Sequence, residues 1–226
     1  MPHPSTVEAR TAPATMRRAA LGGVVGPVAF ILTWTLASAI QPGYSARDDA
    51  ISELAAVGAD TRPFMTVGFV VFALCVLPYA MALRSTLGGG AWISAAGTGV
   101  ATLVVAAIPL GQSTRTDHWH GIVAVLGYTS LAITPLLAVR PLLDRGRRGA
   151  ATLSIAMATI SGSALLLSDT TPLTGLFQRI GLTAGQVWIA GAALTIASGR
   201  SPAERGAPAA EQSLVSNRAA PAEASR

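Results

Sequence analysis

The chain contains no lysine, a single cysteine and few charges of either sign, and each shortage removes a class of protein. Charged residues fill 12% of its 226 positions and hydrophobic residues 51%, with a mean hydropathy of +0.51. Soluble domains carry roughly twice that share of charge, so an integral membrane protein is expected. The lone cysteine, Cys75, lies inside an apolar run. That excludes an intramolecular disulfide and a cysteine metal cluster.

What is present is a series of long apolar runs. Residues 19–40 are 22 positions without a charge, and a membrane span needs about 20 residues at roughly 1.5 Å each. Ala37 and Ala39 after a basic start imitate a signal-peptide cleavage site, but a signal peptide has an apolar core of only about 7–15 residues. Further spans are expected at 63–83, 91–112, 118–139, 150–168 and 173–198, separated by turns such as LGGG at 87–90. The expected fold is all-α: six transmembrane helices in one bundle. Residues 1–18 and 200–226 show no apolar period and are expected to be disordered arms.

Six spans put both termini on one side, and the arginines choose which. The N-arm, the 84–90 turn, the 140–149 loop and the C-tail hold twelve of the sixteen arginines. The other loops hold Arg47, Arg62, Arg115 and Arg179, together with six carboxylates: Asp48, Asp49, Glu53, Asp60, Asp117 and Asp169. By the positive-inside rule both termini are cytoplasmic, in a multi-pass protein of the cell membrane. The net charge of +5 is thus a matter of topology, and no nucleic-acid partner is expected.

Small residues mark where helices approach. Gly22 with Gly26 and Gly181 with Gly185 are GxxxG pairs, and Gly97 with Ala101 is a small-xxx-small pair. Pro27, Pro78, Pro109 and Pro135 lie in or near spans, where they are expected to bend helices. The two halves show no internal repeat, which weighs against an inverted-repeat transporter.

Chemistry is expected in the outer loops, first at residues 41–54, the longest polar interval between apolar runs. A short helix over 48–57 would be N-capped by Asp48 or Asp49. It would turn Ile51, Leu54 and Ala55 to one side and Asp49, Ser52 and Glu53 to the other. Ser52 and Glu53 are candidates for lining a pocket over the bundle, and a solvated face is the plainer alternative. The second group is Asp117, His118 and His120 at the mouth of the fourth helix, with Asp117 expected as its cap and Trp119 as an interfacial anchor. His120 is a candidate acid or base, because a histidine titrates near neutrality. Histidines two apart on a helix point away from each other, so no metal and no cofactor is expected. The third group is Gln178 with Arg179, almost two turns into the sixth span. A charge at that depth faces the bundle and needs a partner, or snorkels to the headgroups. Asp169 is the nearest carboxylate in sequence.

PGYS at 42–45, ISELA at 51–55, VVFAL at 70–74, HG at 120–121, GLFQR at 175–179 and Trp188 together resemble the bacterial membrane family catalogued as domain of unknown function 998. The resemblance runs over residues 20–198. It implies six membrane helices without an assigned activity, and it carries Ser52, Glu53, His120, Gln178 and Arg179 as matching polar positions. Many members have Phe-Pro-x-Asp where this chain has Ile108, Pro109, Leu110 and Gly111, and a second histidine where it has Ala124. A histidine pair at i, i+4 can grip a metal, and His120 with Ala124 does not supply one.

Three functions fit the residues. An enzyme acting on a lipid would use Ser52 or water as nucleophile, His120 or Glu53 as base, and Arg179 to hold a lipid headgroup or small anion. That reading requires those side chains to converge within hydrogen-bond reach. A non-catalytic membrane component or partner subunit is the second. A small-solute transporter is the third, and it would call for more charge within the spans. Oligomeric state is not legible in the sequence.

Overall fold

In a computed structural model, residues 13–199 are described; the arm over 1–12 and the tail over 200–226 lie outside the described residues. The described chain is built from α-helices: α1 (Ala14–Ala20), α2 (Gly22–Ile40), α3 (Arg62–Thr86), α4 (Ala91–Ala107), α5 (Thr114–Asp144), α6 (Arg148–Thr170) and α7 (Thr174–Ala197). The first two run on as one span, Ala14–Ile40. The first span therefore begins at Ala14 rather than at residue 19. Five spans are long and apolar enough to cross a bilayer, and α4 is a shorter apolar helix of 17 residues, about 25 Å long. Together they make the six-helix bundle of a multi-pass membrane protein.

Among the other boundaries that differ from expectation, the ends of α4 and α5 each have a local reason. The third membrane helix, α4, stops at Ala107 instead of reaching 112. Pro109 lacks an N–H, Ile108 leaves helical geometry before it, and Gly111 takes a left-handed φ of 82°. The next helix, α5, begins at Thr114 and passes through Pro141 to Asp144, beyond the expected end at 139. Its C-terminal carbonyls have a partner: the Arg145 guanidinium donates to Pro141 O at 2.7 Å, and also to Thr86 O and Leu87 O at the end of α3. One arginine thus closes two helix ends.

The helices are neighbours in the order α2, α3, α4, α5, α6, α7 and back to α2, with α7 also reaching α5 and α3. Apolar burial provides no drive between helices in lipid, so close backbone approach and polar links hold the bundle. The Gly22–Gly26 face of α2 lies on α3. A Cβ at Gly26 would come within 2.9 Å of Cys75 Cβ and 3.1 Å of Phe72 O, and one at Gly22 would run into the Cys75 carbonyl. The Gly181–Gly185 face of α7 lies on Ser161 and Ala164 of α6 and on Leu131 of α5. Interhelical hydrogen bonds add to these: Ser94 to Ser130 O at 2.6 Å, Ser161 to Gly181 O at 2.8 Å, and Trp188 Nε1 to Ser154 Oγ at 2.8 Å. The outward face is apolar. Leu21, Val25, Val28, Leu32, Leu36 and Ile40 form an exposed stripe at helical spacing along the first span, a surface suited to lipid.

The bundle has two unlike ends. At one, Arg17 donates to Ala197 O and Arg145 joins the ends of α3 and α5. At the other, residues 41–61 form a crown over the helix ends, and Val57 N donates to Leu110 O at 2.8 Å.

Candidate functional site

The crown folds around a 3-10 helix, Ile51–Ala55, whose Ile51, Leu54 and Ala55 are buried as their spacing requires. It has no aspartate N-cap. Asp49 instead accepts from Ser45 N at 2.7 Å and Asp48 from Ser45 Oγ at 2.7 Å, closing the turn that precedes it. The residue before the helix is Ala50, whose N–H donates to Glu53 at 3.3 Å, the reach-back half of a capping box. Asp117 likewise does not cap α5. Ser113 does, accepting from Thr116 N, and Asp117 accepts from Gly111 N at 2.8 Å.

The crown is fastened by α7. Gln178 accepts from Ile51 N at 2.7 Å through its buried side-chain oxygen. Leu176 N and Gly175 N at the start of α7 donate to Arg47 O and Asp48 O, so crown carbonyls satisfy otherwise free helix N–H groups. Arg179, 9% exposed, completes the attachment. One terminal nitrogen donates to Ala46 O at 2.8 Å, Gly175 O at 3.0 Å and Asp49 O at 3.4 Å; the other donates to Tyr44 Oη at 2.6 Å and Ser38 Oγ at 3.1 Å. The guanidinium also lies over the Trp34 and Tyr44 rings at 5.1 and 5.6 Å. Aromatic faces attract a desolvated cation.

These are neutral oxygens and π-faces. Asp169, the carboxylate nearest to Arg179 in sequence, is exposed at the end of α6 and makes no ion pair with it. Arg179 neither pairs with an acid nor snorkels. The chain folds back so that carbonyls come to it, because a guanidinium presents five donors in a fixed fork. Tyr44 sits in the middle, accepting from Arg179 and donating to Asp49 O or Ala50 O at 3.1 and 3.0 Å. Burial pushes the Tyr44 pKa up, opposed by the Arg179 hydrogen bond and charge. Partial desolvation of its carboxyl, in a residue otherwise exposed, also pushes the Glu53 pKa up, against the bond from Ala50 N and with the Asp49 charge.

The other candidates stand apart. His120 is buried, and its Nδ1 lies 2.7 Å from Ile108 O, while its Nε2 is buried without a partner. Ser52 is buried, Glu53 is exposed and His118 is exposed. Among the described residues no hydrogen bond or ion pair joins Ser52, Glu53, His120 and Arg179 to one another. Gln178 and Arg179 converge on the crown. Among the described residues there is also no group of three or more metal-ligating side chains.

A scan against family models matches residues 24–195 to a family described as protein of unknown function (DUF998). The chain belongs to the DUF998 family. Neither curated proteins nor solved structures bring a match. Within this DUF998 member the crown contacts involve residues that sequence spacing did not single out: Trp34, Ser38, Gly175 and the hydroxyl of Tyr44. The first two lie four apart on α2 and so share a face, a signal no different from that of any buried pair. Gly175 does carry one in three dimensions. A Cβ there would sit 2.6 Å from Ala46 O and collide with the Asp49 carbonyl, so only glycine lets the crown approach α7.

Below the crown is a cavity between α2, α3, α4, α5 and α7. It is small: about 30 Å3 admits the centre of a water molecule. Spacing on two helices connects it to the crown. On α7, Gly175, Arg179, Leu182 and Gln186 follow one face at steps of four, three and four. On α5, His120, Ala124, Gly127 and Leu131 do the same. Leu182, Gln186, Ala124, Gly127, Tyr128 and Leu131 line the cavity.

Proposed function

We propose that this protein is a non-catalytic binding component of the membrane, a bundle whose interior cavity is roofed by a crown that Arg179 latches. The observation that carries this reading is the set of five oxygens around Arg179, drawn from α2, the crown and α7. Those bonds occupy the two terminal nitrogens that an anion would need. A lipid headgroup or small anion would reach Arg179 only after the crown lets go. An acyl-transfer or hydrolytic enzyme would need a nucleophile and base in contact, and Ser52 and His120 make no such contact. Ion transport lacks a site of its own, because no charged side chain lines the cavity.

The arginine distribution supports an orientation with both termini cytoplasmic and the crown on the outer face. Reporter fusions after Arg84 and after Arg148 are expected to give cytoplasmic signals, and a periplasmic signal at either overturns that orientation.

The latch is tested with a buried thiol. In a Cys75→Ala background, Ser52→Cys places a buried reporter within the crown, and its maleimide reaction is expected to accelerate about tenfold when Arg179→Ala is added, as loss of buried charged hydrogen bonds implies. An unchanged rate removes the latch. Lipid profiles of a deletion strain, bare or complemented, are expected to be the same; a profile restored by wild type but not by Arg179→Ala would return the enzyme to first place.

A further inference from the structure

The middle of α7 carries a polar side chain that no group of the protein satisfies. Gln186 is 1% exposed and has neither its amide nitrogen nor its amide oxygen in a hydrogen bond. It lines the small cavity below the crown together with Tyr128 of α5 and Thr98 and Thr102 of α4. A buried amide without partners is costly, and the bilayer around the bundle offers it none. The neighbouring groups have capacity to spare. The Tyr128 hydroxyl makes no hydrogen bond among the described residues. Thr98 and Thr102 donate to Ser94 O and Thr98 O on their own helix, which leaves each hydroxyl oxygen able to accept.

We infer that this cavity is a hydration site, in which one or two water molecules held by the Gln186 amide bridge α7 to α4 and α5. Size selects the ligand. About 30 Å3 admits the centre of a water molecule, and one water needs roughly 10–15 Å3 on that measure, so neither an alkyl chain nor a lipid headgroup fits. Chemistry selects it as well. An amide both donates and accepts, so its partner must do the same, and no charged side chain lines the cavity to compensate an ion. Water meets both demands, and the tyrosine and threonine hydroxyls supply the further partners that a buried water takes, about three in all. The consequence is mechanical. In the ring of helices α4 and α7 are not adjacent, and lipid provides no hydrophobic drive to hold them, so a water-mediated bond ties the bundle across its interior.

The site goes beyond the latch and does not depend on it. The test is X-ray radiolysis of the full chain in detergent micelles, with oxidation sites read by peptide mass spectrometry. A hydroxyl radical made from a bound water oxidises the side chains beside it even when they are buried. Phe30 and Phe72, both buried against the cavity, are therefore expected to be oxidised in wild type, whereas Trp188, buried and off the cavity, is protected although indole is the more reactive ring. Gln186→Leu removes the amide at similar volume and is expected to lower oxidation of the two phenylalanines about tenfold, the change in occupancy set by one lost buried hydrogen bond. Gln186→Asn keeps the amide and is expected to keep the signal. Should Gln186→Leu fail to fold, Gln186→Met removes the amide with an unbranched, adaptable chain and carries the same expectation. Protection of Phe30 and Phe72 to the level of Trp188 in wild type overturns the site, because the cavity is then dry. Oxidation equal in wild type and in the apolar variant overturns it too, because the amide then holds no water.

Discussion

Arg179 donates to the Tyr44 hydroxyl across 2.6 Å, and the same hydroxyl faces the carbonyls of Asp49 and Ala50 at 3.1 and 3.0 Å. The phenol thus relays one cation to the backbone just ahead of the 3-10 helix. Tyr44→Phe keeps the ring under the guanidinium and removes the relay. Loss of a hydrogen bond to a buried charge is expected to lower stability by roughly 1.5–3 kcal/mol, read as a fall in the thermal midpoint of the detergent-solubilised protein. A variant as stable as wild type would mean that the other four oxygens and the ring stacking hold Arg179 without the relay.

Arginine is required at position 179 for its shape as well as its charge. The two terminal nitrogens reach oxygens in three chain segments at once, and a lysine ammonium is a single point with three donors. Arg179→Lys is therefore expected to behave nearly like Arg179→Ala in the maleimide assay. Full protection by lysine would reduce the latch to a charge effect.

Gly175→Ala tests the seam from the opposite side. The added methyl meets the carbonyls of Ala46 and Asp49, which are backbone atoms and cannot swing aside. A destabilisation of about 1–3 kcal/mol is expected, the usual cost of overpacking a fixed contact. Gly191 on the same helix has open space where a Cβ would stand, so Gly191→Ala is the control and should be neutral or mildly stabilising.

Gln178 isolates a single bond. Gln178→Leu leaves the buried Ile51 N–H without its acceptor, and an orphaned buried donor costs about 1–3 kcal/mol. Gln178→Glu keeps an acceptor at the same place and is expected to recover most of that loss. Thermal midpoints of the two variants check the difference.

The pH dependence of the crown follows from Glu53, whose pKa partial desolvation raises above the ordinary 4.5. A carboxyl that holds its proton more tightly when folded contributes its stability below the unfolded value and loses it as pH rises through the folded one. Wild type should therefore become slightly less stable over the range just above pH 4.5. Glu53→Gln should flatten that slope while keeping an acceptor for Ala50 N. Parallel curves for the two proteins would assign the slope to another group.

Much of the fold was legible because a bilayer imposes it. A helix must satisfy its backbone internally and be about 20 residues long, so apolar runs bounded by arginine and glycine give the spans directly. The misplaced ends, at Ala107 and Asp144, were decided by a proline after one helix and by Arg145 reaching across to α3 after the other. Of the site, Gln178 and Arg179 stood out because polar groups at membrane depth are rare. Asp169 is the carboxylate nearest in sequence, whereas the side chains that hold Arg179 lie more than a hundred positions away.

The sequence by itself determined that six apolar helices form this protein, that residues 41–54 carry the polar interval, and that Arg179 lies within the last span. Composition and length suffice for these, since each is a one-dimensional consequence of lipid excluding charge and bare backbone. Only the tertiary structure decided that the interval is a crown fastened by neutral oxygens, that no hydrogen bond joins Ser52 to His120, and that Gln186 faces a cavity without a partner. Those facts depend on which distant segments meet, and hydrogen-bond partners across a bundle leave no mark in local spacing.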